Sequence, residues 1–416
     1  MLDTIIKNAI VVTQNEKREI SNINIGIKDG KIEKLGNGFT CAHKIIDAGD
    51  CIVTPAYLNG HIHFGEYYLR GYKERIGTDD YIEVGEKFNH FFMKEELKEI
   101  RSSSIDNVMY ESIKNGTLTV FGMRGWPNVQ NFKVNAFLGY PIMKSEKLAS
   151  YLDHFEERFY DLKKEKDVEY FLGLHSLRWV GEKELDAVRH FLSDHKDIKL
   201  SLHICETKDE ISYIADKYSM TPIQLLDKLK LLNENTLLVH CNYLNREDTD
   251  LIAERGASVA VCHSSNLKLG NSPCDIKKLL KKKINVMIAT DGPATSDSLS
   301  LLDAIRLTAL ISGVAVQELY DMITVNPAKY MKINTGSIQV GNKADILFYD
   351  RNKLNFTYRN SILENLTYLS NVKPYKIMKD GNIIINNYEF LDNMENSVLQ
   401  EKNRIIKLIE KKTGFA

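Results

Sequence analysis

Thr54-Pro55-Ala56-Tyr57-Leu58-Asn59-Gly60-His61-Ile62-His63 decides how the rest of the chain is read. It is a short apolar run ending in two histidines at i and i+2. Alternate residues of an extended chain share a face, so both imidazoles point to one side. Outward from it, residues 56–330 repeat the rhythm. The runs Thr117–Met123, Asn135–Met143, Tyr170–His175, Lys199–His203, Thr236–His240, Ser258–Cys262 and Asn285–Thr290 alternate with helix-period segments. Among those segments are Lys94–Lys114, Glu182–Ser193, Arg246–Arg255 and Leu299–Ile311, with apolar positions every three to four residues. With the run before His61, the pattern is that of an α/β chain folded as a (β/α)8 TIM-type barrel. An open doubly wound sheet is the alternative. No glycine-rich phosphate loop follows any run, which counts against it.

Both flanks change character. Residues 1–55 carry short β-rich runs, Thr4–Val12, Ile23–Ile27, Lys31–Lys34 and Lys44–Asp47, with Asp29-Gly30 as turn chemistry. Beyond the barrel, Gly336–Gln339, Ala344–Tyr349, Val372–Lys379 and Ile383–Ile385 read the same way. The expected organisation is a small composite β-sandwich domain from residues 1–55 plus 331–390 around a catalytic barrel of residues 56–330. In residues 391–416 an amphipathic helix, with Val398, Ile405, Leu408 and Ile409 on one side, is expected to pack on the barrel.

Composition narrows the function classes. Lys+Arg number 55 against 56 Asp+Glu, a formal net charge of -1. No bulk attraction to nucleic acid or anionic lipid follows, so the expected partner is a small-molecule substrate. Six cysteines in 416 residues make no disulfide framework, and Cys205, Cys241, Cys262 and Cys274 lie in or beside apolar stretches. No apolar run approaches the roughly 20 residues that span a bilayer. Asp3, Lys7 and Asn8 break up the start of the chain, unlike a signal peptide. The expected location is cytoplasmic.

Functional side chains of a barrel cluster at the C-terminal ends of its strands. His61, His63, His175, His203, His240 and Asp291 all stand at run ends. Imidazoles plus a carboxylate suit Zn²⁺, with Fe²⁺ as the alternative. His43, His154, His190 and His195 lie in helix or loop context and read as structural.

These motifs, taken in order, resemble the amidohydrolase superfamily. The nearest branch is that of the triazine hydrolases, chlorohydrolases and methylthioadenosine/S-adenosylhomocysteine deaminases. The resemblance runs through Thr54–His63, Leu69-Arg70-Gly71, Gly173-Leu174-His175-Ser176, Leu202–Thr207, Val239-His240-Cys241, His263–Gly270, Ala289–Gly292 and Gly341–Ile346. It implies one divalent metal per chain on His61, His63, His203 and Asp291, whose part is to acidify water. Asp291 would also accept a proton, His240 would hold the attacking oxygen, and Glu206 would protonate the ring nitrogen beside the attacked carbon. Two-metal relatives carry a carboxylated lysine at the end of strand four. Here His175 stands there, which favours a single ion and points His175 at the substrate.

The implied activity is hydrolytic deamination of an aminated N-heterocycle of purine, pterin, pyrimidine or triazine type, with release of ammonia. Cyclic amide or imide hydrolysis and C–Cl or C–S hydrolysis are the alternatives on the same site. A catalytically silent metal-binding scaffold is the alternative of another class. Tyr81 falls where nucleoside-acting relatives place a tryptophan against the base, and His90 where they use a glutamate for the ribose hydroxyls. Gly139 falls near their strand-three arginine. These departures point away from methylthioadenosine and S-adenosylhomocysteine. Arg124, Trp126 and Arg178 read as a cationic, aromatic-lined patch for an anionic or carbonyl-bearing ring. Family members are often dimeric or larger, and a homo-oligomer is the corresponding expectation.

Overall fold

A computed structural model describes residues 1–71, 77–123, 132–139, 141–142, 152, 155–157, 159, 167–352 and 362–413. Eight parallel strands form the barrel: β1 (Tyr57–His63), β2 (Thr117–Met123), β3 (Asn135–Gly139), β4 (Val168–Ser176), β5 (Lys199–Ile204), β6 (Thr236–His240), β7 (Ser258–Val261) and β8 (Val286–Ile288). They pair in chain order from β1 to β8, and helices cover their outer faces. The inner face is packed solid. Leu58, Phe121, Phe137, Phe171, Leu237 and Met287 meet there, with the Phe121 and Phe171 rings stacked 3.9 Å apart, and Tyr330 and Met331 join the same cluster. A barrel of this kind is a core and not a pore.

The β1/β8 seam closes without a regular ladder. Asn59 bridges it with its side chain: Nδ2 donates to Thr290 Oγ1 at 2.7 Å, and Oδ1 accepts from the Thr290 N–H at 3.2 Å. The Asp291 N–H then donates to the His61 carbonyl at 3.1 Å. Lower down, Met322 and Ile323 accept from the Ile288 and Leu58 amides.

Two further sheets come from the chain ends. One holds Lys31–Gly36, Asn24–Lys28, Leu2–Lys7 and Ala42–Asp47. The other interleaves both ends, because Cys51–Pro55 pairs antiparallel with Ile346–Asp350 and parallel with Ile10–Val12. Ile6, Ile25, Ile46, Val53, Phe348 and Met378 from the two sheets share one buried cluster. Two sequence expectations are corrected. Thr4–Val12 is two strands in different sheets, because Asn8 sits at φ 64 in the left-handed region and turns the chain between them. Gly336–Gln339 is not a strand, since Gly336 has φ 78; Ile338 is nonetheless buried, and its N–H donates to the Thr13 carbonyl.

The last helix, Met394–Thr413, packs with Lys94–Lys114: Ile405 is buried beside Ile100 and Phe92, with Leu408 and Ile409 around them. Among the described residues no helix is long and apolar enough to cross a membrane.

Candidate active site

His61 and His63 leave β1 on one face, as the i, i+2 spacing requires. A register shift between Asn59 and Ile62 against β2 re-aims this end of the strand. His203 comes from β5. The three Nε2 atoms form a triangle with sides of 3.0, 3.2 and 3.2 Å. Among the described residues this is the one group of three or more His, Cys, Asp or Glu with metal-ligand spacing. Asp291 Oδ1 faces the triangle at 3.5 Å from His61 Nε2 and 3.6 Å from His63 Nε2. That oxygen is buried with no hydrogen-bond partner. Its twin Oδ2 accepts from Ser265 Oγ at 2.5 Å and Thr295 Oγ1 at 3.0 Å, which fixes the carboxylate's rotation. Asp291 holds φ 61 and His240 φ 77, left-handed backbone at the ends of two barrel strands.

The electrostatics suit a cation. Burial pushes His61 down to about 4 and His203 well below the usual imidazole range, so both rings are neutral at pH 7. Burial alone would raise Asp291. The facing imidazoles, His63 first and then His61 3.5 Å away, outweigh that and hold it well below the usual carboxylate range. Neutral imidazoles around an ionised carboxylate with one orphaned oxygen fit a divalent ion. Nitrogens 3.0–3.2 Å apart can share one ion at about 2.1 Å each.

Two more groups complete the cluster. His240 Nδ1 lies 2.9 Å from Asn266 Oδ1, and the amide oxygen can only accept, so the proton sits on Nδ1 and Nε2 is bare. Nε2 stands 3.7 Å from Glu206 Oε2. Glu206 is pinned by its main chain. Its N–H donates to Glu210 Oε2 at 3.0 Å, and its carbonyl accepts from Asn242 Nδ2 at 3.0 Å. Thr207 caps the helix Lys208–Tyr218 directly after it. His175 is the extra residue of a β-bulge, since Leu174 pairs with Leu202 and Ser176 with His203. Its ring lies 5.3 Å from that of His203 at 80°.

The residues expected at the substrate fare differently. Tyr81, in the first turn of the helix Thr78–Phe91, donates its hydroxyl to Glu66 Oε2 at 2.6 Å. Arg178 pairs with Asp79 of the same turn at 2.8 Å. His90 is exposed at that helix's last turn, and among the described residues no hydrogen bond or ion pair joins it to the cluster. Arg124 and Trp126 lie outside the described residues. At Gly139 a side chain has no room, because a Cβ would stand 2.4 Å from the Phe171 ring. Sequence reading missed Glu66, Ser265, Asn266 and Thr295. Ser265 and Asn266 lie inside the quoted stretch His263–Gly270, and Glu66 is three residues beyond His63.

A (β/α)8 barrel with clustered imidazoles and carboxylates at the C-terminal ends of its strands defines a class, the barrel hydrolases. Residues 52–384, most of the chain, match the Amidohydrolase family, and the chain belongs to it. It is thus an enzyme, a hydrolase acting on carbon–nitrogen bonds. Over 98% of its length it is 29% identical to the 5-methylthioadenosine/S-adenosylhomocysteine deaminase of Caldicellulosiruptor saccharolyticus, covering 99% of that protein. Its fold is that of a zinc-bound adenosine deaminase from Xanthomonas campestris (TM-score 0.86, 20% identity, 98% of this chain and 99% of that one). It is equally that of the zinc-complexed atrazine chlorohydrolase of Arthrobacter aurescens (TM-score 0.86, 20% identity, 97% and 100%).

Proposed function

We propose that this chain is a metal-dependent hydrolytic deaminase that releases ammonia from an aminated N-heterocycle, with 6-aminopurines first among the candidates. The observation that carries the reading is the meeting of three imidazole Nε2 atoms, an orphaned carboxylate oxygen and the His240–Glu206 pair. The full-length relative named as a methylthioadenosine/S-adenosylhomocysteine deaminase supports the ring class. His61, His63, His203 and Asp291 would hold one divalent ion, Zn²⁺ before Fe²⁺. Bound there, the ion supplies Lewis acidity that brings the pKa of water from about 16 toward about 7.

The chain's own groups account for the protons. Asp291 takes one proton from the attacking water. His240, its Nε2 bare, accepts a hydrogen bond from that water and orients its oxygen at the amino-bearing carbon. Glu206, protonated, gives its proton to the adjacent ring nitrogen as the C–O bond forms. The proton held by Asp291 then passes to the amino group, and as the C–N bond breaks the adduct's hydroxyl returns its proton to Glu206, so that ammonia leaves, the carbonyl is restored and Glu206 is protonated again. Water and substrate are consumed one to one. His175, the extra residue of its bulge, would meet the ring beside His203.

The test is ammonia release by Zn²⁺-reconstituted protein from adenosine, methylthioadenosine, S-adenosylhomocysteine, adenine, guanine, a pterin and an aminotriazine. Ammonia from one ring class names the substrate class. A product carrying a new carboxylate would show ring opening and overturn the deaminase reading, as would one metal per chain with no ammonia from any member.

A further inference from the structure

We propose that Glu66 is a positioning residue for His63, and that Tyr81 and Gly292 belong to the same device. This inference rests on the metal reading above and deepens it. Glu66 lies in the turn after β1 and is 6% exposed. Its Oε1 stands 3.3 Å from His63 Nδ1, a buried ring nitrogen without a hydrogen bond of its own. The other nitrogen of that ring, Nε2, is a corner of the imidazole triangle. Glu66 Oε2 accepts the Tyr81 hydroxyl at 2.6 Å. On its far side is Gly292, the residue after Asp291. A Cβ there would stand 2.4 Å from Glu66 Oε2 and 3.3 Å from the His63 Cβ. The carboxylate is therefore wedged between His63 and Gly292, the residue that follows Asp291. It fits because position 292 has no side chain.

A carboxylate against Nδ1 keeps the proton on that nitrogen, leaves Nε2 bare, and makes it a stronger donor. It also adds a negative charge next to a dication. Tyr81, by donating to the second oxygen, keeps Oε1 turned toward His63. The residue expected to stack on the substrate is thus engaged with the carboxylate behind a metal ligand. Gly292 keeps the space open from the other strand end.

The experiment titrates Zn²⁺ into chelator-stripped protein against a chromophoric chelator and records the visible spectrum of the Co²⁺-loaded form. Five proteins are compared: wild type, Glu66→Gln, Tyr81→Phe, Gly292→Ala and His203→Ala. Glu66→Gln is expected to weaken Zn²⁺ binding by about 10–100-fold and to change the Co²⁺ spectrum. Gly292→Ala should move both in the same direction and Tyr81→Phe should do so by less, with the metal-free proteins still folded. If Glu66→Gln does not fold, the other two variants carry the test. Loss of binding in His203→Ala alone, with Glu66→Gln, Tyr81→Phe and Gly292→Ala within twofold of wild type, would overturn the role of Glu66 and leave the metal reading intact. Wild type that binds no better than His203→Ala would overturn both.

Discussion

Asn266→Ala isolates the part played by His240. Asn266 is fully buried, and its amide oxygen is the acceptor for His240 Nδ1 at 2.9 Å. Truncation leaves a buried N–H without an acceptor, a cost of about 1–3 kcal/mol. Asn242, which also loses its bond from Asn266 Nδ2, is only part-buried and adds less. The imidazole can escape the penalty by moving its proton to Nε2, but the bare nitrogen that faces Glu206 is then gone. Either way the competent form is disfavoured by a similar amount, or about 5–150-fold in population. The expected result is a fall of about 10–100-fold in kcat/KM for ammonia release. Metal content should not change, because His240 stands outside the triangle of Nε2 atoms. Asn266→Asp keeps an acceptor at Nδ1 and should recover part of the loss. Steady-state kinetics with metal analysis on the same samples decide it. Asn266→Ala within twofold of wild type would refute the tautomer argument.

His203→Ala should abolish stoichiometric metal binding and ammonia release together; metal analysis showing one ion per chain would sink the ligand assignment. Burial, with Glu206 nearby, pushes Glu210 up to about 8, against an ordinary 4.5. The folded state therefore holds a proton that the unfolded chain releases, and the stabilisation is full below pH 4.5 and lost as pH rises through about 8. Glu210→Gln should melt at the same temperature as wild type at pH 4.5 and higher at pH 9, by at most about 4–5 kcal/mol at about 1.4 kcal/mol per unit; a constant offset across that range would contradict it. Ile405→Ala, fully buried against Ile100 and Phe92, should cost about 2–4 kcal/mol in thermal unfolding and leave kcat untouched.

The barrel was legible because its periodicity is a property of single segments. Each barrel run holds one barrel strand, with a second short strand, Pro141–Ile142, in the run Asn135–Met143, and His61, His63, His203, His240 and Asp291 stand at or just past the run ends, where a barrel gathers function. The clustering of their imidazoles and carboxylates needed only that rule. What stayed hidden depends on backbone breaks and on partners distant in sequence. The turn at Asn8 and the bulge at His175 are departures from regular pairing that periodicity does not register. Asn266 meets His240 across 26 positions and Glu66 meets Tyr81 across 15, so their roles appear only once the strand ends converge. On the substrate side, Arg178 is engaged with Asp79 and His90 stands exposed in the last turn of its helix, neither of which periodicity registers.

The Asn59 bridge has a consequence for how the protein is made. Asn59 and Thr290 are 231 positions apart, yet their bonds and the Asp291–His61 bond shut the ring at the rim where the imidazoles gather. A ribosome that has released only the first strands has delivered His61 and His63, but neither the wall against which they are set nor the aspartate opposite. Completing the circle and completing the binding centre are therefore a single event, late in synthesis and dependent on the most distant pairing in the barrel. On the proposed metal reading, an ion bound at the finished centre would stabilise the closed ring by mass action.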